Sequence, residues 1–531
     1  MRAAMTARTG THASGDAEMN VQHDRVSVAH TAHSEGDRHP GAALRVERFS
    51  LFLSLLAAIL AARLVALAAN GTDLYMDEAQ YWAWSQDLAL GYFSKPPLIA
   101  WLIHGAAAVC GDGEACIRSP ATVLHIVTAV LVYGIAARLY SDDAALLAGL
   151  SYALLPAVSL SSGIISTDVP LLAAWALALY AFVGLLSAPT LRDTAVLALA
   201  LGLGLNAKYA MAYFILCTAI YFIIVPERRM RLREPHLWLA LVGGVALIIP
   251  NILWNAAHAF VTVAHTADNA NWHGIPFHPG KAGEFLLAQF GVFGPILFGA
   301  LLVIAWRAVR RPAEAVSADK LLLAFSLPIL VLVTTQGLIS RAHANWAAPA
   351  YVAATVLVTA TMMRERAWGW MRASFTIHIA IALVIAIVTW QAGRFALPGV
   401  GDPFARTLGN REIAGAVKAE LAAAEQRDQP VRSILTDDRE LAATLAYYAR
   451  DIRVPLLSWR DGYAPRSYFE MAHPYTSAAP DPVLHVASRT PAQSVTKHFG
   501  SVAGLGARVL PAGNHATRTI HFSLLAKYQE R

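Results

Sequence analysis

Apolar residues in this chain run in long unbroken stretches, separated by short polar segments. From Phe49 to Ala69 the run is about 20 residues, enough for a helix to cross a hydrocarbon layer of about 30 Å. Further runs lie near 120–140, 144–164, 169–187, 195–225, 237–254, 285–306, 321–339, 345–363 and 373–392. The run Ala195–Val225 is too long for one crossing and is interrupted by Asn206 and Lys208, so it reads as two short helices that turn there. This predicts about eleven crossings, with thirteen as the upper bound. The runs are continuous and not alternating, which excludes a β-barrel. The expected fold is a polytopic α-helical membrane protein.

Polar segments supply the sidedness. Residues 1–48 lack an apolar run and balance six Arg against six acidic residues, so a disordered cytoplasmic tail is expected. They also lack the apolar core and cleavage site of a secretory signal. The segments Pro226–His236, Trp306–Lys320 and Arg364–Arg372 are basic. They fall on one side only if the short apolar segment Pro97–Cys110 lies on the surface and 195–225 crosses twice. The positive-inside rule then places them in the cytoplasm. The opposite face receives a long first loop, 70–119, short loops at Ser166–Val169 and Ser340–Ala344, a loop over 255–284, and everything after 392. That last stretch is ordinary polar sequence. Strand-like runs at Ser433–Thr436, Pro482–Ala487 and Arg518–Leu525, and helical patterns at Arg411–Gln426 and Glu440–Ala449, predict a small extracytoplasmic α/β domain over 393–531.

Composition agrees: 56% of the 531 residues are apolar and 15% charged, against about 25% charged in a soluble protein. A soluble enzyme, a disordered chain and a fibre are excluded. The net charge of +6 belongs to cytoplasmic loops and does not call for nucleic acid. Of three cysteines, Cys110 and Cys116 close the first loop on the outer face. There an oxidising compartment and the intervening Gly111 and Gly113 would allow a disulfide. Cys217, inside a span, should stay a thiol.

The first loop carries the densest chemistry. Asp77 and Glu78 are adjacent carboxylates just past a span, followed by Tyr81, Trp82, Trp84, Tyr92, Phe93 and Lys95-Pro96-Pro97. If 77–90 is helical, Asp77, Tyr81, Trp84 and Leu88 share a face. Such a helix would lie flat at the headgroups with its aromatics as a belt. It presents either a solvated acid pair or a partly desolvated general base. Lys95 could meet an anion at the same boundary. No phosphate-cradling glycine loop, HExxH or CxxC motif is present.

The string MDEAQYWAWS…LGYFSKPPLIAWLI resembles the first extracytoplasmic loop of the GT-C glycosyltransferases of the protein mannosyltransferase and lipid A aminoarabinose transferase superfamily, glycosyltransferase family 39 and its bacterial relatives. SSGIISTDVPLL at 161–172, LGLNAKYAM at 203–211 and SRAHANWAAPAYV at 340–352 are similar to that family in the same order, and the likeness spans roughly 50–360. It implies a multi-pass protein of a bacterial-type inner membrane with a periplasmic active site. It implies transfer of a sugar from a polyprenyl phosphate carrier to a hydroxyl of an envelope glycolipid, lipid A or lipopolysaccharide, or of a protein. The transfer would be a single displacement with inversion. Asp77 takes the place of the catalytic carboxylate, and Lys95 that of the basic residue near the lipid phosphate.

The remaining candidates keep two readings each. Asp168 either caps the helix that starts near Pro170 or points a carboxylate into the site, and both can hold. Lys208 snorkels to the interface or makes a second phosphate contact. Arg341, with His343, Asn345 and Trp346, anchors a helix end or binds phosphate. The loop 255–284 carries His258, His265, Asn269, Asn271, Trp272, His273 and His278. Their irregular spacing and the lack of a carboxylate cage favour a sugar- or lipid-binding loop over a divalent metal site. No cofactor is expected, because a lipid phosphate leaving group supplies the driving force. The competing class is a transporter or flippase of a lipid-linked saccharide. It would more often show inverted repeats and mid-bilayer broken helices; the sequence shows no repeat, and its unusual charges lie at span ends on one face.

Overall fold

The computed structural model describes residues 40–271, 277–396, 401–462 and 464–529, and residues 45–531 form one compact unit. The helices, in order, are α1 (Pro40–Ala68), α2 (Met76–Gln86), α3 (Leu98–Cys110), α4 (Glu114–Leu139), α5 (Asp142–Leu154), α6 (Pro156–Ser161), α7 (Asp168–Ser187), α8 (Leu191–Ala207), α9 (Tyr213–Ile224), α10 (Pro235–Ala257), α11 (Val261–Ala270), α12 (Pro279–Val292), α13 (Pro295–Arg310), α14 (Ser317–Ala324), α15 (Leu327–Ile339), α16 (Ala350–Arg364) and α17 (Trp368–Trp390). Among the described residues, six helical stretches are long and apolar enough to cross a membrane singly, and a seventh if α12 and α13 count together. The protein is a polytopic helical membrane protein.

Breaks fall where the sequence removes hydrogen bonds or side chains. Pro156 separates α5 from α6. The run over 285–306, expected as one straight crossing, bends by 119° between α12 and α13. Gly294 sits in that bend at φ +91°, and a Cβ there would collide with His378, so only glycine fits. Within 195–225 the chain breaks where Asn206 and Lys208 stand, α8 giving way to a short 3-10 turn and then α9. The first helix begins at Pro40, nine residues before the expected start of the span, and residues 1–39 lie outside the described residues.

α7 is the hub: 83% of its apolar window is buried in protein, against 17% for α1 and 11% for α17, which face outward. At one end of the bundle the basic segments meet. Arg229 caps the carbonyls of Phe222 and Ile223 at the end of α9, and Arg364 pairs with Asp319 at 2.7 Å. The other end carries the first loop and the C-terminal region.

The C-terminal region comprises α18 (Asn410–Gln426), β1 (Ser433–Thr436), α19 (Arg439–Tyr448), β2 (Leu456–Ser458), α20 (Tyr468–Ala472), β3 (Val483–Ala487), β4 (Phe499–Pro511) and β5 (Thr517–Tyr528). Its sheet runs β2-β1-β3-β5-β4, with β1 parallel to both β2 and β3, and β5 antiparallel to β3 and β4. β1 is a fully buried run and matches its predicted bounds. β4 is exposed along most of its length, with a bulge at Gly504/Gly506, so it carries neither an apolar run nor a clean alternation.

The aromatic belt expected in the first loop is not one. Tyr81, Trp82 and Trp84 are buried, and the helix that carries them stops at Gln86, short of Leu88. Trp84 stacks on Tyr92 at 4.6 Å and meets Tyr468 of α20 at 5.9 Å, and Trp82 packs edge-on to Tyr447 of α19 at 5.0 Å. These rings join the first loop to the C-terminal region and do not face lipid. Burying large aromatic surfaces between two protein layers is worth more than leaving them at a boundary.

Candidate active site

Two adjacent residues of α2 have opposite surroundings, because consecutive side chains on a helix diverge by about 100°. Glu78 is buried. Its Oε1 accepts from Arg118 Nε at 2.9 Å and from Ile165 N at 2.9 Å; its Oε2 accepts from Arg118 Nη2 at 2.8 Å and Tyr75 N at 2.9 Å. Arg118 of α4 uses its remaining donors on the Thr72 and Asp73 carbonyls, at 3.1 and 2.8 Å. The pair welds the segment 72–78, α4 and the chain before α7 into one unit. Glu78, expected alongside Asp77 as a reactive carboxylate, therefore has no oxygen left for substrate.

Asp77 faces the other way and is 41% exposed. Arg439, the first residue of α19, donates from Nη2 to Asp77 Oδ1 at 2.5 Å and from Nε to Gln80 at 2.8 Å. Oδ2 accepts no hydrogen bond from the described residues. Tyr81, one turn on, is buried next to Asp77. Burial first, and that carboxylate second, raise its phenol well above the usual value, so it stays protonated.

Asp168 opens α7 but does not cap it. Its carboxylate bridges Lys208 Nζ at 2.7 Å and Asn345 Nδ2 at 2.7 Å, tying α7 to the end of α8 and to the turn Ala344–Ala347. The capping reading is thus replaced by a cross-link of three elements. Lys208 faces inward to that carboxylate and does not snorkel.

Lys95 follows a tight turn, in which Tyr92 N donates to the Lys95 carbonyl at 3.1 Å, and precedes the prolines that open α3. Its ammonium is partly buried and has no ion-pair or hydrogen-bond partner among the described residues. Burial, and then the charge of Lys208, hold its pKa below the usual lysine value, opposed by Asp77 and Asp168. His265 of α11 lies nearby against Phe93, ring centroids 5.4 Å apart, and is held neutral, its pKa lowered to about 4 by burial and by Lys95. The structure thus gathers Asp77, Lys95, Asp168, Lys208 and Asn345 at one end of the bundle. Arg341 stays apart: it is exposed, with Nε 3.5 Å from the Asn269 carbonyl. Trp346 packs edge-on to His343 at 5.1 Å. His273 and Trp272 lie outside the described residues. Among the described residues, no three His, Cys, Asp or Glu side chains converge as a metal site. Cys110 and Cys116 are joined in a disulfide, Cα atoms 5.8 Å apart, and Cys217 is a buried thiol.

A cavity of about 1010 Å³ opens beside Asp77. It follows α1 from Leu55 to Leu67 between α5–α6 and α17, and its upper wall holds Tyr75, Asp77, Tyr81 and Arg406. Lys95, Asp168 and Lys208 are not in its lining.

Sequence reasoning missed Arg439, Arg118 and Arg406. Arg439 lies 362 residues from Asp77, in a stretch that reads as an ordinary charged helix start, and nothing local marks it.

Residues 94–254 match the model of the dolichyl-phosphate-mannose-protein mannosyltransferase family. The lipid A galacturonosyltransferase RgtD of Rhizobium johnstonii is 35% identical over 409 residues, 77% of this chain and 84% of that protein. The lipopolysaccharide core galacturonosyltransferase RgtA of the same organism is 28% identical over 48% of this chain and 52% of that protein. Among solved structures, ArnT from Cupriavidus metallidurans superposes with a TM-score of 0.61 in the apo state, at 15% identity, over 90% of this chain and 98% of that one. The same protein bound to undecaprenyl phosphate gives 0.60, at 16% identity, over 91% and 99%. Those two structures speak for the fold; the galacturonosyltransferase, matched over most of its length, speaks for kinship. Together they show that the chain belongs to the GT-C glycosyltransferases that unite the protein mannosyltransferases with the lipid A-modifying transferases.

Proposed function

We propose that this protein transfers a sugar, a galacturonosyl residue as in the matched relatives, from a polyprenyl phosphate to a hydroxyl of lipid A or the lipopolysaccharide core, on the periplasmic face of the inner membrane. The observation that carries this reading is the nearness of Asp77, one carboxylate oxygen held by Arg439 and the other open, to the ammonium of Lys95, which has no partner among the described residues. A partly buried cation without a counter-ion suits a lipid phosphate, because a charge-assisted contact replaces the water it has lost.

In this reading the acceptor oxygen attacks the anomeric carbon from the Asp77 side. Its bond to carbon forms as the bond from carbon to the phosphate oxygen breaks, and the configuration inverts. The acceptor proton passes to Asp77 Oδ2, and the polyprenyl phosphate leaves as an anion against Lys95. Asp168, Lys208 and Asn345 form the wall of the donor side. The two-sided arrangement keeps base and leaving group apart, as a direct displacement requires.

Purified protein in nanodiscs, given polyprenyl phosphate galacturonate and lipid A, should release polyprenyl phosphate and increase the acceptor mass by one uronic acid. Movement of the donor across the bilayer without any such product would favour the flippase instead. Alkylation of single cysteines placed at 341 and 231, from either side of intact spheroplasts, checks the orientation.

A further inference from the structure

α11 is a strap between two loops, and its inner stripe shows what it spans. Thr262, His265 and Asn269 lie on one face of it and are less exposed than Val263, Thr266 and Ala267. Thr262 is buried and donates from Oγ1 to the Tyr92 carbonyl at 2.7 Å. His265 packs on Phe93, two residues before Lys95. At the far end Arg341 Nε donates to the Asn269 carbonyl at 3.5 Å, Gln336 Nε2 to the Ala270 carbonyl at 2.9 Å, and Ser340 Oγ to the Asn271 carbonyl at 3.0 Å. The helix therefore ties the turn that carries Lys95 to the turn that carries Arg341. His265 and Asn269 are four residues apart, so the two anchor points are separated by about one helical turn, roughly 6 Å.

The charges here do not balance. Lys208 is engaged by Asp168 at 2.7 Å and Arg439 by Asp77 at 2.5 Å. Lys95 and Arg341 remain, two cations without a carboxylate partner among the described residues. The nearby imidazoles add no positive charge at neutral pH. His265 is lowered to about 4, and His343 is held below its usual value by burial first, then by Arg341, then by Lys208. Asp268 lies on the exposed side of α11 and makes no ion pair among the described residues. The contact of Arg341 Nε with the Asn269 carbonyl fixes one edge of the guanidinium, and leaves Nη1 and Nη2 without a partner among the described residues.

A polyprenyl phosphodiester of a neutral hexose brings one negative charge. That of a uronic acid brings two, a phosphate on the anomeric carbon and a carboxylate across the ring, separated by a span of the same order as one helical turn. An ammonium is a point charge that suits the phosphodiester, whereas a planar guanidinium meets a carboxylate in two parallel hydrogen bonds. We infer that Arg341 binds the sugar carboxylate of a uronosyl donor through Nη1 and Nη2, and thereby sets the choice of a uronosyl over a neutral hexosyl donor. The inference rests on the transfer reading above. It adds the residue that reads the donor sugar, at a point away from the reacting carbon.

The test uses the full-length protein in nanodiscs with two donors that differ only at the terminal carbon of the sugar, polyprenyl phosphate galacturonate and polyprenyl phosphate galactose. Wild type should prefer the galacturonate. Arg341→Gln should raise the KM for the galacturonate donor about five- to thirtyfold, the loss of a two-point charge-assisted contact discounted for solvent, and leave the KM values for the galactose donor and the acceptor unchanged. Arg341→Lys should restore part of the preference, because the charge stays and the fork is lost. Native mass spectrometry of each donor titrated onto the protein supplies a readout without turnover and should show the same split. Equal weakening of both donors would assign Arg341 to the phosphate or to packing and overturn the inference, as would a wild type that binds both donors alike. If wild type transfers galacturonate and Arg341→Gln changes nothing, the transfer reading stands and this inference fails. If no sugar is transferred but binding of the galacturonate donor still depends on Arg341, the transfer reading fails and the carboxylate contact stands.

Discussion

Two ion-pair regions share the end of the bundle where the first loop lies. In one, Glu78 and Arg118 are 1% and 2% exposed and every carboxylate oxygen has two donors. In the other, Asp77 is 41% exposed with one oxygen open, and Lys95 has no partner among the described residues. Each region sets a carboxylate near a cation, and the two acids are adjacent in the chain. The difference is satisfaction. A closed, dry pair has no capacity left for substrate and serves to hold the backbone. An open carboxylate beside an unpaired cation is unstable as structure and useful as chemistry.

Substitutions sharpen this contrast. The largest expected effect is Asp77→Asn: transfer should fall by about 10²–10⁴ while thermal stability stays put. Activity within a few-fold of wild type would move the base elsewhere. Arg118→Met should do the converse. It strands a buried carboxylate, which costs about 3–5 kcal/mol of stability, read as a lowered melting temperature and loss of monodisperse protein in detergent. A stable Arg118→Met variant would mean that Glu78 protonates cheaply and the weld is dispensable.

Lys95→Ala comes next. It should weaken the donor about tenfold to 150-fold in KM, corresponding to about 1.5–3 kcal/mol, with the acceptor KM unchanged. Because the Lys95 ammonium is held below the usual 10.5, its positive charge is present at low pH and lost earlier than that of a free lysine as pH rises. Donor affinity in the wild type should therefore fall on the alkaline side before pH 10.5, and that limb should vanish in Lys95→Ala. A limb that persists assigns the titration to another group.

Arg439→Gln should lower kcat about three- to tenfold, because the pair with Asp77 is partly exposed and screened, and Arg439→Lys should restore part of it. An equal loss in both variants would point to packing of α19, not orientation of the carboxylate. Smallest of all, Cys110→Ser should leave transfer unchanged and shift the melting temperature by at most about 3 °C, since so short a loop gains little from closure. A large loss of activity would show that the bridge positions the first loop.

The elements read best from sequence were those whose burial is uniform. Long apolar runs gave the helices, β1 and β3 were legible as short apolar runs, and Lys208 correctly marked the break in 195–225. β4 was missed because an edge strand with three glycines neither buries a face nor alternates. The first-loop rings were misplaced at the lipid boundary for a related reason. Amphipathic aromatics suit a membrane interface and a protein–protein layer equally, and no local pattern says which partner will cover them.

By itself the sequence determined that the chain is a many-helix membrane protein, because transfer of apolar runs from water depends on length and composition alone. It also determined the loops in which reactive groups stand, and the resemblance that points to Asp77 and Lys95. Tertiary structure decided which of two neighbouring acids is spent on the fold, that Asp168 meets Lys208 and Asn345, and that Arg439 reaches Asp77 across 362 positions. It alone set a cavity beside Asp77. These are properties of where charges lie relative to one another and to water. Coulomb interaction and desolvation depend on distance in space, and spacing along the chain does not carry that distance.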